Sequence, residues 1–333
     1  MAEGHFLARI DVWLPVRDGA DGLSRAVSSI RRQTFRDWRM LLVDDGSTDG
    51  TPEIVERLAK LDARIVPIRQ EARGLVPALL AAAERSDAPF IARMDADDIA
   101  HPMRFEAQLA LGGDIRSTRV RVGSAPEGMR LYVRWNNGLA SPADIANSLF
   151  VESPLVHPTA FFSRETYQRA GGYRDPGWPE DYDLWLRAWA EGMTFAKVPR
   201  ALLTWSDRPG RLTRTHPAYA EKAMRRAKLE YLPRHPILAR GPLTVWGAGP
   251  IGRGWIRDLR RLGFVVEQAI DIDPRKIGRK LSNEVPVSTP EDALQRRGGP
   301  VLGCVGSRGA RHLIRKRLLK QGLLEGADFL FLA

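Results

Sequence analysis

Short apolar runs alternate with amphipathic segments along the first part of the chain. The runs have the length of strands and end in turn residues, whereas Leu23, Ala26 and Ile30 repeat with the spacing of one helix face. Strands are predicted at 10–16, 40–43, 65–68 and 90–94, and helices at 22–33, from 51 onwards and at 75–83. Strands separated by helices predict an α/β fold in which helices cover both faces of a mostly parallel central sheet.

The alternation changes after residue 109. The segment RSTRVRVGS (116–124) predicts an antiparallel excursion, and EDYDLWLRAWA (180–190) predicts an amphipathic helix. The stretch 206–240 is rich in Arg, Pro and His and contains one predicted helix, at 219–231. We interpret this stretch as a connector.

A second α/β unit is predicted from residue 241 to the end of the chain. Its strands are LTVWGAG, VVEQAIDID and VLGCVG, and its helices are 251–262, 289–294 and 310–320. Cys304 lies in the run VLGCVG and, as the one cysteine of the sequence, predicts a buried thiol rather than a disulfide. The last helix is basic, which indicates either a solvated face or contact with an anionic membrane surface.

The composition is that of a folded, basic globular protein. The 333 residues are 44% hydrophobic and 27% charged, which argues against disorder and allows about two domains. The net charge is +11, and residues 241–333 hold 16 basic and 9 acidic side chains. A basic balance favours a nucleotide, a phospholipid head group or a nucleic acid, although a solvated basic surface accounts for it equally well. No nucleic-acid-binding motif accompanies the charge, so we expect no nucleic-acid partner.

The N-terminal sequence MAEGHFLARIDVWLPV lacks the basic start and long apolar core of a signal peptide. No stretch reaches the roughly 18 apolar residues of a membrane span. We therefore expect a cytoplasmic protein, with peripheral contact at the inner membrane face as an alternative.

Two acidic clusters follow predicted strands, where α/β folds bind ligands. In VDDGSTDGT, Asp44 and Asp45 could accept hydrogen bonds from a base or ribose, but a turn followed by a helix N-cap explains them equally well. In RMDADDIAHP, Asp95, Asp97 and Asp98 would repel one another without a cation, and Mg²⁺ or Mn²⁺ prefers oxygen ligands. We therefore predict a divalent metal site there, against the alternative of an exposed acidic turn.

A third acidic cluster, WPEDYDLWLR, opens the predicted helix after residue 179. Acidic residues in the first turn of a helix are favoured by its dipole, so capping is one explanation of Glu180 and Asp181. The other explanation is a general base, which must reach the hydroxyl group that it deprotonates. The sequence leaves both open.

In their order and spacing these motifs resemble the family 2 glycosyltransferases of the GT-A fold. The resemblance runs from about Val12 to Thr215 and includes VWLPVRDG, LLVDDGSTDGT, the MDADD run, VESPLVHPTAFFSR, AGGYRD and PEDYDLWLR. It implies a GT-A nucleotide-diphospho-sugar transferase domain with a metal-dependent, inverting hexosyltransferase activity. The implied donor is a nucleotide-diphosphate sugar, preferably UDP-linked. The implied acceptor is a saccharide, a lipid-linked or a protein hydroxyl, as in cell-surface polysaccharide biosynthesis.

The resemblance also implies roles for single residues. Asp97, Asp95 and Asp98 would hold the metal, and Asp181 would be the catalytic base with Glu180 as its neighbour. The donor would be bound by Pro15, Asp18, Asp44, Asp45, Asp95, Asp97, Arg211 and Arg214, and the acceptor side would include His157 and Trp178. The family more often has Asn where this chain has Asp18, and a structural role for His157 is an equal alternative.

An arginine-rich segment, RPGRLTRTH, ends the resembling region. Arg208, Arg211 and Arg214 recur every third residue, and the planar donor fork of arginine suits a diphosphate. A plain basic loop is the alternative. The QxxRW motif of processive synthases is absent from the sequence, so a polymer-extruding synthase is not expected.

The second unit opens with a glycine-rich loop. Gly247, Gly249 and Gly252 in VWGAGPIGRG match G-x-G-x-x-G between a predicted strand and a predicted helix. Asp271 or Asp273 follows at the end of the next strand, where ribose recognition would place an acid. The segment IDIDPRKIGRKLSNEVPV resembles small Rossmann-like domains that precede some sugar acyltransferases. These features predict a second nucleotide site, or else a Rossmann scaffold used for docking or regulation.

The predicted organisation is a GT-A glycosyltransferase domain over 1–215, a helical linker over 216–240 and a small Rossmann-like domain over 241–333. We expect a glycosyltransferase that uses Mn²⁺ or Mg²⁺. Two competing hypotheses are a nucleotide-sugar-sensing protein without catalysis and an NAD(P)-dependent oxidoreductase centred on the second unit. The oxidoreductase leaves the acidic motifs of the first domain without a role.

Overall fold

The computed structural model describes residues 9–208, 210–281 and 284–333 and divides into two compact units. The first unit runs to residue 146 and from 154 to 224, and the second comprises 147–153 and 225–333. The first eight residues of the N-terminal sequence, Pro209 of the arginine-rich segment and Ser282–Asn283 of the Rossmann-like motif lie outside the described residues. The domain limits at 215 and 240 stay a prediction.

The first unit is built on one mixed sheet. Its described strands are β1 (Ile10–Val16), β2 (Trp38–Asp45), β3 (Ile65–Gln70), β4 (Phe90–Arg93), β5 (Ile99–Ala100), β6 (Ile115–Val122), β7 (Phe161–Ser163) and β8 (Phe195–Trp205). Its described helices are α1 (Ala20–Arg31), α2 (Thr51–Leu61), α3 (Leu75–Arg85), α4 (Arg104–Leu109), α5 (Glu127–Gly138), α6 (Pro142–Ser148), α7 (Arg164–Arg169), α8 (Glu180–Ala190) and α9 (Leu212–Thr215), with 3₁₀ turns at His157–Thr159 and Pro217–Tyr219. α6 and the next helix, α10 (Glu221–Tyr231), each cross the division between the units.

The strand order is β3-β2-β1-β4-β7-β6-β8-β5. The first four strands are parallel, whereas β7 runs antiparallel to both β4 and β6. The predicted α/β class is confirmed. The segment predicted as an antiparallel excursion is β6, which pairs antiparallel with β7 over two residues and parallel with β8 along its length. The antiparallel prediction is therefore right for the short pairing with β7 and wrong for the longer pairing with β8.

The core of the first unit forms around β1, which is buried along its whole length. α1 covers it with Leu23, Ala26 and Ile30, the face that the spacing predicts. The charged residue of this strand, Asp11, is fully buried and accepts two hydrogen bonds of 2.9 Å from Arg39 on β2. A buried carboxylate is tolerated when it is paired and hydrogen-bonded, and here the pair also ties β1 to β2.

The second unit contains a parallel sheet with the order β11-β10-β9-β12-β13. Its strands are β9 (Leu243–Trp246), β10 (Val266–Ile270), β11 (Val287–Ser288), β12 (Val301–Gly303) and β13 (Phe329–Phe331), its helices are α11 (Pro250–Arg261), α12 (Pro290–Arg296) and α13 (Ala310–Lys320), and 3₁₀ turns lie at Leu232–Arg234 and Pro236–Ala239. Cys304 is buried, and burial raises the pKa of its thiol. Among the described residues, no helix is both long enough and apolar enough to span a lipid bilayer.

Candidate functional site

The carboxyl ends of β1, β2 and β4 lie side by side, because β1 pairs in parallel with both neighbours. Asp18 and the run 95–98 lie in the loops that leave β1 and β4, and the pair Asp44–Asp45 ends β2. Pro15 is buried within β1, opposite Val43 of β2. Because ligands bind outside the carboxyl ends of strands in open α/β sheets, this edge is the expected place for a donor site.

Hydrogen bonds join the loops after β1 and β2. Asp18 has a φ of 48°, a left-handed conformation that Asp tolerates better than most residues. Its amide donates to Ser47 Oγ at 2.9 Å, and its Oδ1 accepts from the Thr48 amide at 2.8 Å. The Gly19 amide donates to Thr51 Oγ1 at 2.9 Å. The Asp18 side chain keeps 45% of its surface exposed, so it orders the loop and stays accessible to a ligand.

The two aspartates that end β2 have different surroundings. Asp45 accepts from the amides of Arg73 and Gly74 at 2.9 and 2.8 Å, and so anchors the loop between β3 and α3. Asp44 is 2% exposed and accepts from the Ser47 amide at 3.0 Å through Oδ1. Its Oδ2 is buried and has no hydrogen-bond partner among the described residues. The turn interpretation therefore fits Asp44 Oδ1, whereas Asp45 bonds to the next loop and Asp44 Oδ2 has Arg69 Nε at 4.0 Å.

Three carboxylates converge after β4. Asp95, Asp97 and Asp98 each offer an oxygen, and these atoms all lie within 4.8 Å of one another. Buried Arg93 donates from Nη2 to Asp95 Oδ1 at 2.7 Å, and Arg208 Nε lies 3.1 Å from Asp97 Oδ2. The structure thus brings together the three residues that the sequence predicts as metal ligands, a set of hard oxygen donors.

The innermost carboxylate of this triad fits a cation. Asp98 is 1% exposed and accepts from the Ser206 amide at 2.8 Å through Oδ1, whereas Oδ2 is buried with no hydrogen-bond partner among the described residues. Burial, followed by the charges of Asp95 and Asp97, raises the pKa of Asp98 well above its usual value. Burial and the charge of Asp95 also raise the pKa of Asp97. A divalent cation would relieve this repulsion and take the orphaned oxygen as a ligand.

Arg211 and Arg214, in the basic segment after β8, have different contacts. The Arg211 guanidinium lies over the Trp205 ring, 4.2 Å from its centroid. Burial acts to raise the pKa of Asp95, but Arg211 is among the charges that hold that pKa below its usual value. Arg214 instead places Nη2 2.6 Å from Asp207 Oδ1. Both arginines predicted to bind the donor pair with Asp207, since Arg211 Nη1 lies 3.8 Å from the same oxygen, but Arg211 also acts on the charge of the triad.

A buried polar network surrounds the first turn of α8. Tyr219 Oη donates to Glu180 Oε2 at 2.7 Å, and His157 Nδ1 lies 3.3 Å from Glu180 Oε1. His157 Nε2 is hydrogen-bonded to Tyr173 Oη at 2.7 Å. Burial acts to raise the pKa of Glu180, but the contact with His157 and the hydrogen bond from Tyr219 lower it below its usual value. The predicted acceptor-side histidine therefore touches the predicted neighbour of the base.

Asp181 has the properties of a base that works at neutral pH. Burial, followed by the charge of Glu180, raises its pKa to about 7. A general base is most effective when its pKa lies near the working pH. No side chain caps α8 at its N-cap, Pro179, but Asp181 lies in the first turn and accepts from the Tyr182 amide at 2.7 Å, so the helix-dipole explanation stands beside the general base.

The triad and the α8 cluster act on one another electrostatically. His157 is among the groups that lower the pKa of Asp95 after the opposing effect of burial. Burial and the charges of Glu180, Asp181 and Asp95 raise the pKa of Tyr219. A cleft of about 320 Å³ reaches Asp97 and is lined by Arg25, Gly123, Ser124 and residues 204–208. The volume lies in the usual range of small-molecule sites, and the mutual charge effects indicate that the two clusters lie near one another within the first unit.

Comparison with known proteins decides the family. Residues 11–141 match the family described as Glycosyl transferase family 2. This chain belongs to the family 2 glycosyltransferases. EpsE of Bacillus subtilis (strain 168), a protein that is named as a glycosyltransferase, is 32% identical over 192 residues, which are 54% of this chain and 66% of EpsE. The amylovoran biosynthesis glycosyltransferase AmsE of Erwinia amylovora is 28% identical over 196 residues, which are 56% of this chain and 71% of AmsE.

The matched region of this glycosyltransferase thus spans about two thirds of the length of EpsE and AmsE. Among solved structures, S. aureus TarS in complex with UDP-GlcNAc aligns with a TM-score of 0.48 and 15% identity. That alignment covers 68% of this chain and 72% of the TarS chain.

A buried acid of α8, beside the predicted base of this glycosyltransferase, is missing from the sequence prediction. Asp183 is fully buried, and its Oδ2 accepts from Arg174 Nε at 2.9 Å and Arg187 Nε at 2.8 Å. Its Oδ1 accepts from Trp178 Nε1 at 2.9 Å. Trp178, predicted on the acceptor side, is therefore held by α8 itself. The available signal was Arg187 four residues after Asp183, the spacing of a helical ion pair.

The glycine-rich loop of the second unit forms a tight turn. Gly247 has a φ of 127°, which only glycine adopts freely, and Gly249 is the N-cap of α11. A Cβ on Gly252 would clash with the carbonyl oxygen of Gly247. The spacing of the motif is thus explained by close packing of the helix on the loop.

The two acids predicted beside this loop are bonded within the second unit. Asp271 Oδ2 accepts from the Ala248 amide at 3.0 Å and from Lys276 Nζ at 2.9 Å. Asp273 forms two 3.0 Å hydrogen bonds with the Arg275 side chain. A nucleotide would have to exchange some of these contacts, and the second nucleotide site stays a prediction.

Proposed function

We propose that this glycosyltransferase moves a sugar from a nucleotide-diphosphate donor, UDP-linked in the first instance, to an acceptor hydroxyl in one inverting displacement. The observation that carries the proposal is the meeting of two acidic clusters in one electrostatic neighbourhood. One cluster has the ligand chemistry of a divalent cation, and the other contains a carboxyl group whose pKa is about 7. A diphosphate at the first and a hydroxyl at the second would bring the reacting groups together.

The donor half of the site would be formed by Asp95, Asp97 and Asp98, which fit Mn²⁺ or Mg²⁺. When bound, the ion would offset the negative charge that builds on the leaving diphosphate. Arg211 adds a resident positive charge beside the triad, held in place by its stacking on Trp205. The loop that carries Asp18 and the loop that follows Asp44 are joined by hydrogen bonds and so are already ordered for the nucleoside.

The acceptor half would be formed around Asp181. Its carboxylate takes the proton of the acceptor hydroxyl while that oxygen bonds to the anomeric carbon and the bond from this carbon to the diphosphate oxygen breaks. Attack from the side opposite the leaving group inverts the configuration. His157 and Trp178 are held beside α8 and would border the acceptor. The name of AmsE refers to amylovoran biosynthesis, which supports a saccharide acceptor over a lipid or protein one.

Replacing Glu180 by Gln should move the acid limb of the activity–pH profile to lower pH, by about one pH unit. The charge of Glu180 is the second cause, after burial, of the raised pKa of Asp181, and glutamine keeps the shape without that charge. Initial rates measured from pH 5 to 9 give the limb. Glu191→Gln, at the exposed far end of the same helix, is the matched control and should leave the profile as it is. An unmoved limb in Glu180→Gln would show that Glu180 does not set this pKa.

The proposed activity is tested by incubating the full chain with UDP-, GDP- and dTDP-linked sugars, each with Mn²⁺ and with EDTA. We expect slow release of nucleoside diphosphate from one donor class, dependent on Mn²⁺, even without an acceptor. Binding of a nucleotide sugar with no release, with or without acceptor saccharides, would favour a sensing protein. Tight binding of NAD(P) with no binding of any nucleotide sugar would favour the oxidoreductase.

A further inference from the structure

Arg208 lies against the carboxylate triad in a way that its two neighbours in the arginine-rich segment do not. Its Nε is 3.1 Å from Asp97 Oδ2, with the two side chains 36% and 22% exposed. Asp97 is thus an ion-pair partner of Arg208, whereas Arg211 and Arg214 pair with Asp207. Arg208 therefore supplies positive charge to one of the three predicted metal ligands.

Arg208 lies against α1 at Gly22, a position without a side chain. A Cβ on Gly22 would clash with Arg208 Nη2 and would also lie 3.0 Å from Asp97 Cα and from the backbone oxygen of Ala96. The guanidinium thus sits where α1 passes close to the acidic loop, in space that a side chain at position 22 would narrow. The fold thus leaves room for a cationic group between α1 and Asp97.

We propose that Arg208 is a resident counter-ion that neutralises Asp97 before the divalent cation binds, and that the cation displaces it towards the diphosphate of the donor. This inference rests on the proposed function, because it requires a metal and a nucleotide diphosphate at the triad. A guanidinium and a dication cannot share one carboxylate oxygen without strong repulsion at such separations. Once released, Arg208 carries the planar donor fork that suits a diphosphate, and the cleft in which it lies already reaches Asp97.

If the cation displaces Arg208, removing this arginine should change the affinities for Mn²⁺ and for UDP in opposite directions. Without nucleotide, Arg208→Gln should bind Mn²⁺ about fivefold more tightly than the parent, because no ion pair of this partly exposed kind has to be broken. With saturating Mn²⁺, the same variant should bind UDP about fivefold more weakly, because a diphosphate contact is lost. An arginine that merely fastens the segment would weaken both equilibria when it is removed.

The experiment measures free Mn²⁺ by electron paramagnetic resonance and UDP binding by calorimetry, on the full chain. Arg57→Gln is the matched control: Arg57 is exposed on α2, outside the cleft lining, and forms no ion pair within the described part of the chain, so its loss should change Mn²⁺ affinity by less than about twofold. Equal or weaker Mn²⁺ binding by Arg208→Gln, while the parent binds the ion, would overturn the role of Arg208 alone. Failure of both proteins to bind Mn²⁺ would overturn the proposed metal site, and this inference with it.

Discussion

Asp97→Ala lowers donor turnover by at least about a hundredfold and removes the dependence of the remaining rate on Mn²⁺. The expected size follows from the several kcal/mol by which a metal ion stabilises charge on a leaving group. Of the three predicted ligands, Asp97 combines a partly exposed side chain with a carboxylate whose pKa is raised by burial and by Asp95. Release of nucleoside diphosphate, followed over a range of Mn²⁺ concentrations, measures the effect.

Two controls make this result specific. Asp97→Asn keeps the size of the side chain and should reproduce most of the loss, because the charge is what the cation needs. Asp21→Ala removes an exposed aspartate from the first turn of α1, outside the triad, and should retain parental turnover. An Asp97→Ala protein with unchanged turnover and unchanged Mn²⁺ dependence would remove the triad from the mechanism.

Asp181→Asn lowers turnover by about 10² to 10⁴, the usual contribution of a general base, and leaves the affinity for UDP with Mn²⁺ nearly unchanged. The donor half of the site does not require this carboxylate, so binding and chemistry should separate. Steady-state rates and calorimetric titration of UDP measure the two quantities. A variant that loses UDP binding to the same extent as turnover would place Asp181 in the donor site.

The same role of Asp181 also predicts how activity depends on pH. Only the deprotonated carboxylate accepts a proton, and the pKa of Asp181 is about 7, so activity of the parent falls as the pH drops through 7. The fall approaches about tenfold for each pH unit below that value. The residual activity of Asp181→Asn should lack this acid limb, whereas an unchanged limb would assign it to another group.

The parallel half of the first sheet could be predicted because its pattern is local. β1, β2 and β4 are short apolar runs with turn residues behind them, and α1 shows its buried face as a simple spacing. The acidic clusters come directly after these strands, so their meeting at one edge follows from parallel pairing. For that reason the triad could be proposed from order and spacing alone.

The other half of the sheet could not be predicted in the same way. β7 has three residues and lies between strands that are distant in sequence, and β6 pairs in opposite senses with its two neighbours. Strands this short carry little periodicity, and their pairing is decided by long-range packing. The link from Tyr219 to Glu180 spans 39 residues and has no local signal.

The different surroundings of the three carboxylates could be seen only in the folded structure. Asp95, Asp97 and Asp98 look alike in the sequence, but one is held by Arg93, one by Arg208 and one by the Ser206 amide. These partners come from β4 and from the segment after β8, which the sequence does not place side by side. Burial and charge then give the three carboxyl groups different pKa shifts, and so different shares in binding a cation.

The most direct test of the central claim, that the triad is completed by a cation and a diphosphate, is calorimetric titration of UDP into the full chain with Mn²⁺ and with EDTA. The account predicts one UDP per chain and an affinity at least about a hundredfold higher with Mn²⁺. The same affinity under both conditions, or no binding under either, would contradict it.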